Sequence, residues 1–401
     1  MKGTTMGVEV RGSSLLNRDF VIVCLCNFLS FFSIYLIVPV LPHYLEGRGY
    51  SNTIIGALMS MMVVAALSRP FLGNLSDTWG RRRILLAGTL VLALTNFLYA
   101  AFDAAMPLFL VRFFNGFGLA AFNTAAYALV GDLALPERRL QGIAIFFMSV
   151  DATIATAPPL AELVKSRWGY DAVYYLAGIV GLASFLLAIL SPETACGERR
   201  CTTSKGPEGS GMGVSGLPVY VATCGFTMTI GALTTFVVLS SDKAGFGHGE
   251  LFFVVFAVTL IVFRLAAGRW AERLPRLALI VASGLIAVIG LATVALARSL
   301  VVFLLGSMVY ALGIAYVPTT LSALLLDLTA PERRGLVLGL FMAVFDIGVG
   351  LGGIVLGPLA DALGYPSMYL VSACVALAGL GILFLLRKPK AEETAGELRD
   401  R

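Results

Sequence analysis

Charge is scarce in this chain. Asp, Glu, Lys and Arg make up 13% of its 401 residues, about half the roughly 25% of soluble proteins. Polar side chains cannot then cover a soluble surface, and 58% of the residues are hydrophobic, with 43 glycines besides. Histidine is scarcer still. The two present, His43 and His248, supply no H-E-x-x-H zinc helix, and no G-x-x-x-x-G-K-[ST] phosphate loop occurs, so neither a membrane enzyme nor a receptor is the expected reading. The six cysteines form no ligand set. Cys24, Cys26, Cys224 and Cys374 lie in apolar runs, where cysteine acts as a small hydrophobe, and Cys196 and Cys201 lack the second ligand pair a zinc site needs. No metal and no cofactor are expected. The net charge of +5 does not call for a nucleic-acid partner, because the basic residues collect on one side of the pattern described next.

What the chain has instead is long apolar runs. A membrane-spanning helix takes about 20 apolar residues. Runs of that length fall at 20–41, 53–74, 83–102, 107–130, 140–163 and 171–190, then at 217–239, 250–268, 276–297, 300–325, 335–358 and 366–386. The first run is too long for the apolar core of a cleaved signal. Between the two sixes lies the hydrophilic stretch 191–216, which reads as a linker. The expectation is an all-α polytopic membrane protein: a six-helix bundle over 1–190, the linker 191–216, a second bundle over 217–386 and a tail over 387–401. Of the 29 Lys and Arg, 23 fall on the side of the N-terminus, the linker and the C-terminus, and 6 on the other. The positive-inside rule makes that first side the cytoplasm. The expected location is a cell inner (plasma) membrane, with both termini cytoplasmic.

The halves repeat at an offset of 195. Asp132-Leu-Ala-Leu-Pro136-Glu137-Arg138-Arg139 matches Asp327-Leu-Thr-Ala-Pro331-Glu332-Arg333-Arg334, and the same register pairs Arg69 with Arg264, Asp151 with Asp346 and Gly169-Tyr170 with Gly364-Tyr365. Two parallel six-span halves are the plan of one large group of secondary transporters. The segment Gly73-Asn-Leu75-Ser76-Asp77-Thr-Trp-Gly80-Arg81-Arg82-Arg83 resembles the signature loop of the major facilitator superfamily. Arg112-Phe-Phe-Asn115-Gly116-Phe-Gly118 is similar to a span 4 motif of its proton-coupled members, and Pro39-Val-Leu41-Pro42 resembles the P-x-L-P of its drug and metabolite exporters. Two features depart from those exporters. Span 1 has no acidic residue between Phe31 and Val38, and span 5 offers Ala157-Pro158-Pro159-Leu160-Ala161-Glu162 in place of a glycine-rich element.

The resemblance implies a twelve-span transporter working by alternating access, driven by the proton gradient and exporting a small organic compound as a monomer in the bilayer. Import of a nutrient by symport or uniport is the alternative. The resemblance also implies a cytoplasmic gate, made by Gly73, Asp77, Gly80 and Arg81 of that loop with Asp132 at the end of span 4, and with Asp77 facing the N-terminus of span 11. Asp151 stands about eleven residues into span 5, roughly 16 Å along a helix and so near the middle of a core about 30 Å thick. Asp346 holds the same place in span 11. Carboxylates at that depth cost on the order of 2.5–3.5 kcal/mol on insertion scales, which makes both candidates for proton coupling, or else hydrogen-bonded packing residues. Arg112 is the candidate cation for Asp151. Its equivalent is Ser307, so Asp346 is expected to lack a cation and to protonate more readily. Asn27, Tyr35, Asn123, Tyr127, Tyr310 and Tyr316 are candidates for lining a substrate cavity, although polar residues also bind helices to one another.

Overall fold

The structure, a computed structural model, describes residues 17–133, 139–193, 216–271, 274–329 and 334–385. All its regular elements there are helices. Span 1 is α1 (Arg18–Ile37) and α2 (Val40–Gly47), span 2 is α3 (Asn52–Ala66) and α4 (Arg69–Trp79), and spans 3 to 6 are α5 (Arg81–Leu98), α6 (Ala105–Leu133), α7 (Arg139–Trp168) and α8 (Tyr170–Ala188). The second half runs through α9 (Leu217–Lys243), α10 (Leu251–Ala271), α11 (Arg276–Ala295), α12 (Leu300–Ile314) with α13 (Val317–Asp327) as span 10, α14 (Arg334–Ile354), and α15 (Leu356–Leu385). Nine of these segments are long and apolar enough, among the described residues, to cross a membrane unaided. The other three of the expected twelve are α5, which opens on Arg81, Arg82 and Arg83, α7, which carries Asp151 and Glu162, and α10, whose apolar stretch is short.

Local chemistry sets the breaks. Span 1 breaks where Pro39 caps α2. Pro70 and Pro318 stand in the first turns of α4 and α13, where the missing N–H costs nothing. Gly80 (φ 98°) separates α4 from α5, and Gly364 (φ 79°) bends α15; both are in the left-handed region that favours glycine. The connection expected between spans 11 and 12 is largely helical, since α15 already starts at Leu356.

Leu94, Leu110, Ile179, Leu186, Ile289 and Val301 point outward and are exposed, the reverse of a soluble protein and the pattern a bilayer solvates. Inside, small residues bring helices together. A Cβ on Gly290 would meet the Tyr310 backbone nitrogen at 2.2 Å, and one on Gly116 the Met62 carbonyl oxygen at 2.5 Å. The two glycines of the span 4 motif, Gly116 and Gly118, thus serve packing of α6 on α3 and α5.

Between the halves, α3 packs on α14 and α15, α7 on α10, and α2 on α9. The seam is tight on the side away from the linker, here the far side. There a Cβ on Gly56 would lie 2.1 Å from the Gly353 carbonyl oxygen, and Ser60 Oγ donates to the Gly350 oxygen at 2.7 Å. His43 Nε2 meets Asp242 Oδ2, and Lys243 Nζ lies 3.5 Å from Glu46. On the linker side α4 packs on α5 and α6 of its own half, while α13 packs on α9, α11 and α14 of the other. Among the described residues, the halves are closed against each other on the far side and parted on the linker side.

Candidate functional site: two ion pairs between the halves

Asp151 Oδ2 accepts a hydrogen bond from Arg264 Nη1 at 2.7 Å. Asp346 Oδ2 lies 2.5 Å from Arg69 Nη1. Each pair joins one half to the other. Because Arg69 matches Arg264 and Asp151 matches Asp346 at the 195 offset, the second pair is the first one with the halves exchanged. All four side chains sit in mid-span, Asp151 and Asp346 each twelve residues into its helix. They are not sealed: Arg264 is 35% exposed, Arg69 28% and Asp346 20%, against 11% for Asp151. Charges at this depth with this exposure face the space between the halves.

This corrects the expectation for Arg112 and for Asp346. Arg112 is buried, at 2%, and acts on the Tyr99 hydroxyl rather than on Asp151. Height explains it. Arg112 is seven residues from the far end of α6, roughly 10 Å deep, whereas Asp151 is seventeen residues from the far end of α7, roughly 25 Å deep. Asp346 does have a cation, so the predicted contrast between the two aspartates lacks its premise.

The cavity candidates divide. Tyr35 lies within electrostatic reach of Asp151, and Tyr127, 39% exposed, within reach of both Arg69 and Asp346. Tyr316 packs edge-on against Phe263, with ring centres 5.6 Å apart, beside Arg264 in sequence. Asn123 is buried, with an unpaired Oδ1. Asn27 and Tyr310 make hydrogen bonds between helices, and Asn27 Oδ1, like that of Asn123, is buried without a partner. Asn27 Nδ2 donates to the Phe146 oxygen at 3.0 Å and to Ser149 Oγ at 2.8 Å, tying α1 to α7. The hydroxyls of Tyr310 and Thr229 bond at 2.7 Å, tying α12 to α9.

At the linker ends, Arg81 pairs with Asp132 and donates to the Ala128 oxygen at 2.8 Å. Arg276 pairs with Asp327 at 2.6 Å, again at the 195 offset. Both pairs stay inside their own half. Gly80 makes the tight turn between α4 and α5, whereas Gly73 makes no close approach: its Cβ would meet Thr124 at 3.9 Å, an ordinary contact. The side chain of Asp77 lies outside the described residues.

Sequence reasoning missed Arg69 and Arg264 as site residues. Both lie inside apolar runs and repeat at the same offset as the aspartates, which was the available signal. It also missed Asp361, which lies at the far-side seam.

Against known proteins, the model of the Major Facilitator Superfamily matches residues 23–206 and 219–400, one block per half. The staphylopine export protein of Staphylococcus aureus is 23% identical over 387 residues, covering 90% of this chain and 94% of that protein. The uncharacterized MFS-type transporter YhhS of Escherichia coli is 24% identical over 392 residues, covering 94% of each. Among solved structures, the nucleoside transporter NupG superposes with a TM-score of 0.73 at 16% identity, covering 93% of this chain and 100% of that one. The peptide transporter POT in complex with sulfate gives 0.75 at 14%, covering 94% and 96%.

Proposed function

The chain belongs to the major facilitator superfamily and is a multi-pass membrane transporter, not an enzyme, and from that premise we propose that it exports a small organic compound in exchange for protons. The observation that carries this reading is the exchange-related pair of ion pairs between the halves. Alternating access requires the halves to rock about their common seam, and a charge pair that spans the seam in mid-membrane is coupled to that motion. A proton arriving on Asp151 or Asp346 removes the charge that holds its arginine. The freed guanidinium then favours an anionic group of substrate, and the carboxylate, once deprotonated, a cationic one. Energy comes from the proton gradient, with no cofactor.

The same arithmetic narrows the substrate. An uncharged apolar molecule wedged between the halves leaves both members of each pair desolvated without compensation, which is costly. A compound carrying both an anionic and a cationic group replaces both partners at once. We therefore favour an amphoteric substrate, with Tyr35, Tyr127 and Tyr316 as its aromatic walls. A relative named for export of staphylopine and the P-x-L-P of span 1 support the outward direction. The arginine bias supports a cell inner membrane with the linker side cytoplasmic. One chain supplies both halves of the site, which supports a monomer.

Transport in inside-out vesicles under an imposed pH gradient tests direction and coupling together. Substrate-dependent proton efflux from vesicles acidified inside, with substrate drawn in, is the expected result. Substrate drawn out of the vesicles, or flux indifferent to the gradient, would reverse the direction or remove the proton.

A further inference from the structure

The first turn of α3 is capped by the other half of the molecule. Asp361, in α15, accepts four hydrogen bonds: from the backbone nitrogens of Asn52 (2.9 Å) and Thr53 (2.8 Å), from Asn52 Nδ2 (2.9 Å) and from Thr53 Oγ1 (2.7 Å). Tyr365 adds a fifth bond, donating to Asn52 Oδ1 at 2.8 Å. The first N–H groups of a helix have no partner within it, and that end favours an anion. The cap within the chain, Ser51 Oγ, receives only Ile54 N at 3.4 Å. A Cβ on Gly357 would lie 2.6 Å from the Asn52 carbonyl oxygen, so a glycine there lets the two backbones meet.

The residues around Asp361 repeat the signature loop. Gly357-Pro-Leu359-Ala360-Asp361-Ala-Leu-Gly364 and Gly73-Asn-Leu75-Ser76-Asp77-Thr-Trp-Gly80 share G-x-L-[SA]-D-x-x-G. Their last glycines share a backbone conformation too, φ 79°, ψ 167° at Gly364 and φ 98°, ψ 140° at Gly80. One copy ends span 2 on the linker side, and the other follows span 11 on the far side. Spans 2 and 11 face each other across the seam and start at opposite membrane faces. An acid beyond the end of each is therefore placed to cap the start of the other.

We propose that spans 2 and 11 form a two-ended latch. Asp361 caps span 2 while the far side is closed, as here, and works against the contact that the resemblance of the signature loop already implies, Asp77 at the start of span 11 while the linker side is closed. Rocking that makes one cap breaks the other, so the difference between the two caps sets which side is open. The other seam lacks the device among the described residues. There the position of Asp361 is held by Ser166, whose hydroxyl donates to Leu163 of its own helix, and the positions of Asn52 and Thr53 by Gly247 and His248. A cavity of about 530 Å³, lined by Ser166, Gly247 and His248 among others, occupies that place. The latch is thus not a by-product of the 195-residue repeat.

The proposal rests on alternating access, and the test separates the two. Spin labels at exposed Arg48 and Leu363 report the far side, and labels at exposed Trp79 and Leu328 the linker side. Losing a helix cap shifts an equilibrium by about tenfold. Asp361→Ala should move the distance distributions by about that factor toward a longer far side and a shorter linker side. Asp77→Ala should move them the opposite way, and the double variant should return toward the parent. Thr53→Val, which removes one donor, should follow Asp361→Ala with a smaller shift and stands in for it should that variant fail to fold. Unmoved distributions in Asp361→Ala and Thr53→Val, or the same direction of shift for Asp361→Ala and Asp77→Ala, would overturn the latch while the parent still switches. A transporting parent whose two distances never change in opposite senses would remove alternating access itself.

Discussion

Neutralising Arg264 leaves Asp151 in mid-span with little solvent, and the cost follows from the geometry. The contact of 2.7 Å puts the charge centres about 4 Å apart, worth about 4 kcal/mol at an effective dielectric near 20. Water reaches the guanidinium, which is 35% exposed, so roughly half of that should survive as pairwise coupling, about 2 kcal/mol. That lies within the usual range for residues in contact and equals about a 30-fold change in an equilibrium. Arg264→Gln should therefore destabilise the protein by up to about 3 kcal/mol, since it strands the less exposed partner, and Asp151→Asn should cost less. The double variant should be more stable than the sum of the singles by about 2 kcal/mol. The assay is a double-mutant cycle by equilibrium unfolding in mixed micelles. Arg69 and Asp346 should give a similar coupling, whereas Arg112→Gln combined with Asp151→Asn should be additive. Additivity within about 0.5 kcal/mol for Arg264 and Asp151, or strong coupling of Arg112 to Asp151, would refute the cross-half assignment.

Two further outcomes follow from the seam and from the far-side loop. Gly56→Ala places a Cβ 2.1 Å from a backbone oxygen that cannot step aside, so it should raise far-side labelling of engineered cysteines and lower flux; Gly339→Ala, with nothing within 4 Å, should do neither. Asp103, in the connection between spans 3 and 4, accepts from the Tyr44 hydroxyl at 2.5 Å and pairs with Arg48 at 2.8 Å, which together hold its carboxyl below the usual carboxylate range. A depressed acid stabilises the fold above its ordinary pKa and loses that contribution as pH falls through the lowered value. Asp103→Asn should accordingly lower stability at neutral pH, flatten the acid limb of a stability–pH profile, and converge with the parent at strongly acid pH, where the parent has already lost the contribution.

The fold was legible because lipid imposes length and apolarity on every span, and because the eight-residue block at Asp132 and Asp327 fixes the repeat. The two aspartates were legible as charges in apolar runs. Their partners were not, for a physical reason: a repeat tells which residues are equivalent, and equivalence across a two-fold axis says nothing about which are neighbours. Arg69 and Arg264 had the same standing as Asp151 and Asp346 but were counted with the positive-inside anchors. Arg112 was drawn to Asp151 by nearness in topology, which ignores height along the helix. Asn27 and Tyr310 showed polarity without showing the hydrogen bonds between helices that their Nδ2 and hydroxyl make. Asp361 carried a signal in the sequence, the second G-x-L-[SA]-D-x-x-G, which an offset of 195 does not bring into view.

In the proposed cycle Asp151 and Asp346 link proton movement to the rocking of the halves. The most direct test is to measure gradient-driven accumulation and counterflow exchange side by side in Asp151→Asn and Asp346→Asn. Counterflow needs no net proton movement. Both variants should lose accumulation and keep counterflow; accumulation at the parent's level in both would return the two aspartates to helix packing.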